Sequence, residues 1–235
     1  MSNQQNVALI TGASRGLGLA LTKAIVERDW SVIITAREAG ALHAARAKLD
    51  HREQVIAIPG DIANPIHRQT LAEAAHLIGG LDVVINNAGI LGLSPQPPLL
   101  DYPLDALERV YQINVIAQLG ILQAVWKELK PGAKIINVTS DAGIEPYANW
   151  GGYGSSKAAL EQLSAILAVE NPQLHIYWVD PGDMRTQMHQ EAFPGEDISD
   201  RPLPEESVPG ILTLLEGNLP SGRFKARELA IEEQV

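Results

Sequence analysis

Residues 7–18 read VALITGASRGLG, and the fold follows from how that stretch is built. VALIT, residues 7–11, is short and largely apolar, as a strand buried on both faces must be. Glycines at 12, 16 and 18 then break the run, and a helical stretch continues to about Asp29. A strand feeding a glycine turn and then a helix gathers free backbone amides and partial positive charge at one point, which suits a phosphate group. The spacing is G-x-x-x-G-x-G, a departure from the commoner G-x-G-x-x-G dinucleotide pattern. A glycine cluster alone also describes a tight turn; its position directly behind the first strand favours the phosphate cradle.

The same alternation runs outward along the chain. Strand-like runs at 31–36 (SVIITA), 54–60 (QVIAIPG), 81–86 (LDVVIN), 133–140 (AKIINVTS) and 174–180 (LHIYWVD) are separated by predicted helices. Those helices cover about 38–49, 65–78, 101–128 and 152–169, and a short last strand falls near Arg223–Ala226. Apolar strands alternating with helices predict an α/β fold: a doubly wound, Rossmann-type, mostly parallel sheet of about seven strands with helices on both faces. Ligands of such sheets bind at the carboxyl ends of the strands. Residues 1–235 read as one domain. The stretch 183–209 holds four of the fifteen prolines and reads as a loop or lid beside the site.

Composition narrows the chemistry. Hydrophobic residues make up 46% and charged residues 20%, an ordinary globular balance. The formal net charge of −10 speaks against a nucleic-acid binder, which needs a basic face. There is no cysteine, which excludes disulfides, thiolate metal sites and cysteine nucleophiles together. The six histidines show no close ligand spacing, most read as solvated surface residues, and no metal site is expected. A polar N-terminus without a signal pattern, and no apolar run of membrane-spanning length, make the cytoplasm the expected location.

Two features point to a reaction. An acid near the end of the second strand would bind the ribose hydroxyls of NAD, but Thr35, Ala36 and Arg37 stand there, with Arg15 in the glycine turn. Two guanidinium groups can bracket a 2′-phosphate, so NADP(H) is expected over NAD(H). Tyr153 and Lys157 lie four apart on a predicted helix and share a face. A nearby ammonium is expected to lower the phenol's pKa and suit it to exchange a proton with an alcohol. Ser140, ending the fifth strand, is placed to orient the substrate oxygen.

Thr11–Gly18 (TGASRGLG), Asp61, Asn86–Gly89 (NNAG), Asn114, Ser140, Tyr153–Lys157 (YGSSK) and Pro181–Gly182 together resemble the short-chain dehydrogenase/reductase family in order and spacing, from Val7 to about Thr186. The resemblance implies that Gly12, Gly16 and Gly18 cradle the pyrophosphate, that Ser14 and Leu17 of the same turn also bind the cofactor, and that Arg15 and Arg37 are the arginine pair of NADP-preferring members. It implies that Asp61 and Ile62 meet the adenine, and that Asn86 to Gly89, with Asn87, Ala88 and Gly89 as cofactor contacts, form the strand-four edge beside the adenosine ribose. Asn114 would hold a water in a proton relay with Lys157, which also binds the nicotinamide ribose. Tyr153 would give its proton in reduction while contacting the cofactor, and Pro181, Gly182 and Thr186 would border the nicotinamide. Each residue also has a structural reading: Asp61 as a helix cap, Asn114 as a helix-bending group, Pro181–Gly182 as a plain turn.

The expected function is therefore an NADP(H)-dependent oxidoreductase interconverting a ketone or aldehyde and an alcohol. The alternative is a non-catalytic NADP(H)-sensing protein, which would not need the serine, tyrosine and lysine intact. Ile144, Tyr147, Trp150, Met184 and Met188, with Ser140, are the expected substrate contacts. They favour a hydrophobic or ring-containing carbonyl, although the same side chains also suit the core or a subunit contact. The family forms dimers or tetramers through its two long helices, which implies a homo-oligomer here.

Overall fold

The computed structural model describes residues 5–232. In chain order the elements are β1 (Val7–Thr11), α1 (Gly16–Val26), β2 (Ser31–Thr35), α2 (Ala39–Ala47), β3 (Val55–Ala57), α3 (Pro65–Leu77) and β4 (Leu81–Asn86). They continue with α4 (Leu104–Tyr111), α5 (Ala117–Val125), β5 (Leu129–Val138), α6 (Gly151–Glu170), β6 (His175–Asp180), α7 (Gln187–Ala192), α8 (Val208–Glu216), β7 (Gly222–Lys225) and α9 (Ala226–Glu232). All strands run parallel, in the order β3-β2-β1-β4-β5-β6-β7. This is the doubly wound sheet that the alternating pattern predicts.

Each face of the sheet buries its own core. On one side Leu21 and Ile25 of α1, Leu42 of α2 and Ile211 and Leu215 of α8 pack against Ile10, Ile34 and Val179. On the other, Leu71 of α3 and Ile121 and Val125 of α5 cover Leu9, Ile33 and Ile135. Alternate residues of one strand thus feed opposite cores, which is why the strands are apolar throughout. The strand order reverses between β1 and β4, so their carboxyl ends splay apart and open a crevice there.

Three segments depart from the sequence expectation. The stretch 101–128 is not one regular helix: α4 and α5 are joined by a π-helical turn, Gln112–Ile116, which contains Asn114. Asn114 accepts a hydrogen bond from Ile90 N and donates one to Ile90 O, both at 2.9 Å, tying the helix to the exit of β4 at the point where it widens. The 183–209 loop carries the two-turn helix α7 and a 3₁₀ turn over Pro204–Ser207. Helix α8 follows directly. Its Pro209-Gly210 pair reads as a breaker, yet proline suits a helix's first turn. Any side chain at Gly210 would collide with Ala226 O, so this glycine permits α8 and α9 to touch. Buried Lys134 of β5 donates to Leu215 O (2.6 Å) and Gly217 O at the end of α8, satisfying carbonyls the helix leaves open.

Among the described residues no helix is long and apolar enough to cross a membrane. Among the same residues no cluster of three or more histidine or acidic side chains is placed to hold a metal ion.

Candidate active site

The glycine turn is fixed by β4. Asn87 Nδ2 donates to Thr11 O (2.9 Å) and Gly12 O (3.2 Å), while the Thr11 hydroxyl accepts the amides of Asn87 and Ala88, each at 3.0 Å. Gly12 has φ +68°, and a Cβ there would sit 2.8 Å from Ala88 Cα. A Cβ on Gly18 would lie 2.5 Å from Gly12 O. Both glycines are thus required by close backbone approach within the protein itself. Arg15, at the N-cap of α1, makes no side-chain capping bond, so the first amides of α1 face the crevice available to an anion.

Around this turn runs a cleft of about 900 Å³, from Arg37, Lys48, Asp61 and Ile62 at one end to Ser140, Tyr153 and Lys157 at the other. Gly12, Ser14, Arg15, Gly16 and Leu17 line it, as do Asn87–Gly89, Pro181, Gly182 and Thr186. Gly18 lies beneath the turn and touches Asn87 instead. Arg15 and Arg37 are exposed, and Arg15 bonds Gln187 of α7. Asp61 is not the cap of α3; Asn64 is, accepting from Ile66 N at 2.9 Å. The Asp61 carboxylate instead accepts from Ala63 N (2.9 Å) and Arg109 (2.8 Å). Burial pushes its pKa up, but Ala63, Arg109 and Arg37 outweigh that and hold it below the usual value.

His67 corrects the reading of the histidines as solvated. It is buried beneath this end of the cleft, 2.8 Å from the Thr35 hydroxyl, and burial lowers its pKa against the pull of Asp61.

At the other end, Tyr153 and Lys157 share the inward face of α6, and both are buried. Lys157 Nζ lies 5.5 Å from the Tyr153 ring centre and donates to Val138 O at 2.8 Å. The expectation that the ammonium lowers the phenol's pKa is corrected here. Burial raises the Tyr153 pKa; the Ser140 hydroxyl opposes this, and the charges of Asp180 and Asp141 add to it. Burial also lowers the Lys157 pKa to about 8, with Glu161 opposing. The ammonium is turned to a carbonyl and sits over the ring, while the ring itself is largely buried. Ser140 Oγ donates to Asp141 Oδ1 (2.9 Å) and accepts from Ala142 N (3.2 Å). Asn114 also donates to Ser156 Oγ (3.0 Å), one residue before Lys157.

Of the expected substrate contacts, Trp150, Met184, Met188 and Ser140 line the cleft, whereas exposed Ile144 and Tyr147 do not. Tyr147 sits edge-on to Trp150 and donates to Asp141 Oδ2 at 2.9 Å. Trp150 in turn meets Tyr153 and Phe193, with ring centres 5.9 Å apart in each case. Met184 packs on the α1–α8 core, and Met188 packs near Leu91, Ala142 and Tyr153. Sequence reasoning missed Asn137, which accepts from Asn86 (2.9 Å) and donates to Ser164 (2.7 Å). It also missed Gln118, which donates to Ala88 O (2.6 Å). The signal for Asn137 was present: an amide in the middle of an apolar strand needs a partner.

These residues fit a nicotinamide dinucleotide: a glycine turn beside an uncapped helix start, with Arg37 where an acid would otherwise stand and Arg15 in the turn itself. Comparison with known proteins agrees. The family model described as short chain dehydrogenase matches residues 6–197. A rhamnolipids biosynthesis 3-oxoacyl-[acyl-carrier-protein] reductase of Pseudomonas aeruginosa is 33% identical over 192 residues, covering 77% of this chain and 74% of its own. A Shigella flexneri protein solved in complex with NADP superposes with TM-score 0.88 at 28% identity, covering 97% of this chain and all of its own. An Escherichia coli oxidoreductase superposes with TM-score 0.86 at 28% identity over 97% of this chain and 98% of its own.

Proposed function

The chain belongs to the short-chain dehydrogenase family, and from that premise we propose that it is an NADP(H)-dependent oxidoreductase, one domain, that interconverts a ketone or aldehyde and an alcohol. One observation carries this reading: Tyr153, Lys157 and Ser140 converge at the floor of the same cleft that begins at the glycine turn. Bound there, the nicotinamide supplies the hydride equivalent of the reduction.

The chain's own groups do the rest. Tyr153 gives its proton to the carbonyl oxygen, and the raised pKa keeps that proton in place at neutral pH. Ser140 orients the substrate oxygen. Lys157 holds the nicotinamide ribose and supplies positive charge beneath the tyrosine. Asn114 anchors the β4 exit from the π turn, next to Ser156 and Lys157, where it supports a water relay. Arg15 and Arg37 favour NADP(H) over NAD(H), which the NADP-bound relative supports. Trp150, Met188 and Phe193 favour a hydrophobic or ring-containing carbonyl. Exposed Leu104 and Ile116, together with Ile166 and Val169 of α6, fit a homo-oligomer built on these helices. The cysteine-free composition fits a reducing cytoplasm.

Titration with NADPH and NADH, followed by NADPH absorbance against a panel of ketones, aldehydes and quinones, tests the reading. Tight NADPH binding with turnover on a carbonyl is expected; absence of NADPH binding overturns it. The pH dependence is also set. Lys157, at about 8, is charged below that pH and neutral above it. The kcat/KM for reduction should therefore be level on the acid side and fall above about pH 8, and a profile still rising there would remove Lys157's charge from the mechanism.

A further inference from the structure

The end of β5 and the two residues after it are held through side chains of α6 and β7. Lys157 Nζ binds Val138 O (2.8 Å), Thr139 Oγ1 donates to Glu161 Oε1 (2.8 Å), and Arg223 Nη2 donates to Ser140 O (3.3 Å). Three consecutive residues leading to the catalytic-site serine are thus pinned one after another. Glu161 lies one turn beyond Lys157 on α6, and Arg223 comes from β7 at the sheet edge. The two pair directly, Arg223 Nε lying 3.1 and 3.2 Å from the carboxylate oxygens of Glu161, and Arg223 Nη2 also lies 3.6 Å from Asp180. Glu161 is 9% exposed, so its charge acts across little water. A Cβ on Gly143 would come within 3.0 Å of the same carboxylate, so the 3₁₀ turn Asp141–Gly143 that follows Ser140 is fitted closely around it.

We propose that Glu161 and Arg223 form a positioning pair that holds the Ser140 backbone and balances the charge beside Lys157. The inference rests on the oxidoreductase reading for its purpose and for its kcat readout, though not for its NMR readout. The charged and titratable groups about the Tyr153–Lys157 pair are Glu161 beside Lys157, Asp141 after β5 and Asp180 at the end of β6 beside Tyr153, and Arg223 with Lys225 on β7 beside those carboxylates. Within that set the two members of the pair act with opposite signs. Removing the carboxylate takes away the anion beside Lys157 and leaves Arg223 with Asp180 alone as its partner, which disfavours a charged Lys157. Removing the guanidinium leaves Glu161 unbalanced, which favours it.

The test follows the titration of Lys157 by NMR of isotope-labelled lysine, with the resonance assigned from Lys157→Met, beside kcat/KM–pH profiles where turnover exists. Glu161→Gln should lower the Lys157 midpoint by about one unit, a tenfold change in its protonation equilibrium. Arg223→Met should raise it by a similar amount, and the double variant should return close to wild type. Arg223→Lys keeps the charge but loses the fork. It should leave the midpoint in place and lower kcat, and it serves as the second probe if Arg223→Met does not fold. Midpoints that stay put in both single variants, or move the same way, overturn the pair's charge role; unchanged kcat in Arg223→Lys overturns its positioning role. A wild type that binds NADPH yet reduces no carbonyl would instead count against the oxidoreductase reading, leaving the NMR result to judge the pair.

Discussion

Replacing Tyr153 with phenylalanine is expected to lower kcat for carbonyl reduction by roughly two to four orders of magnitude, the usual weight of a positioned general acid. The substitution is nearly isosteric. Phenylalanine retains the ring that packs beside Leu91 and Ala142 and lies edge-on to Trp150, so the pocket should keep its shape. Only the hydroxyl is lost. Because burial raises the phenol's pKa, that hydroxyl carries its proton throughout the neutral range, as the proposed donor must. Lys157 does not replace it, since its Nζ lies over the ring, 5.5 Å from its centre, and not where the hydroxyl stands. NADPH affinity should change by less than about tenfold, that is by less than about 1.4 kcal/mol, as the glycine turn and the arginines lie elsewhere along the cleft. Stopped-flow NADPH oxidation and equilibrium titration on the same preparation separate the two effects. A variant retaining a tenth or more of the wild-type rate would remove Tyr153 as the proton donor.

The parts of this site that were readable beforehand are those whose chemistry is local in sequence. Gly12, Gly16 and Gly18 stand within one turn, and Tyr153 and Lys157 share a helix face through i,i+4 spacing. What was not readable depends on partners far along the chain. Asn86 meets Asn137 across 51 residues, Thr139 meets Glu161 across 22, and Glu161 meets Arg223 across 62. No spacing rule connects such pairs; only the sheet order brings them together. The sign of the Tyr153 shift failed for a related reason. Spacing shows that a lysine is near, but not that its ammonium turns to a carbonyl or that the ring is largely buried. Helix α8 and the π turn were hidden by local signals, a Pro-Gly pair and an unbroken helical pattern, that tertiary packing overrode.

The second large effect is expected at the opposite end of the cleft. Arg37→Asp should weaken NADPH binding by about 10- to 100-fold, the range for losing a charge-assisted hydrogen bond of about 1.5–3 kcal/mol. Arg37 follows Thr35 and Ala36 at the carboxyl end of β2, is exposed, and lines the cleft with Arg15 and Lys48. Its field already reaches Asp61, whose carboxyl it helps to hold below the usual pKa. An aspartate there would repel a 2′-phosphate, yet could accept hydrogen bonds from the free ribose hydroxyls of NADH. The NADPH-to-NADH preference should therefore fall by more than the NADPH affinity alone. Because Arg37 faces solvent, the wild-type preference should also narrow as salt rises, while the variant's should respond less. Arg15 is tied to Gln187 on α7 and remains in the variant, so some preference for the phosphate should persist. Paired titrations with both cofactors at low and high salt read all three quantities. An unchanged preference would mean that Arg37 never meets the phosphate, and the choice of NADP would then rest on Arg15 and Lys48.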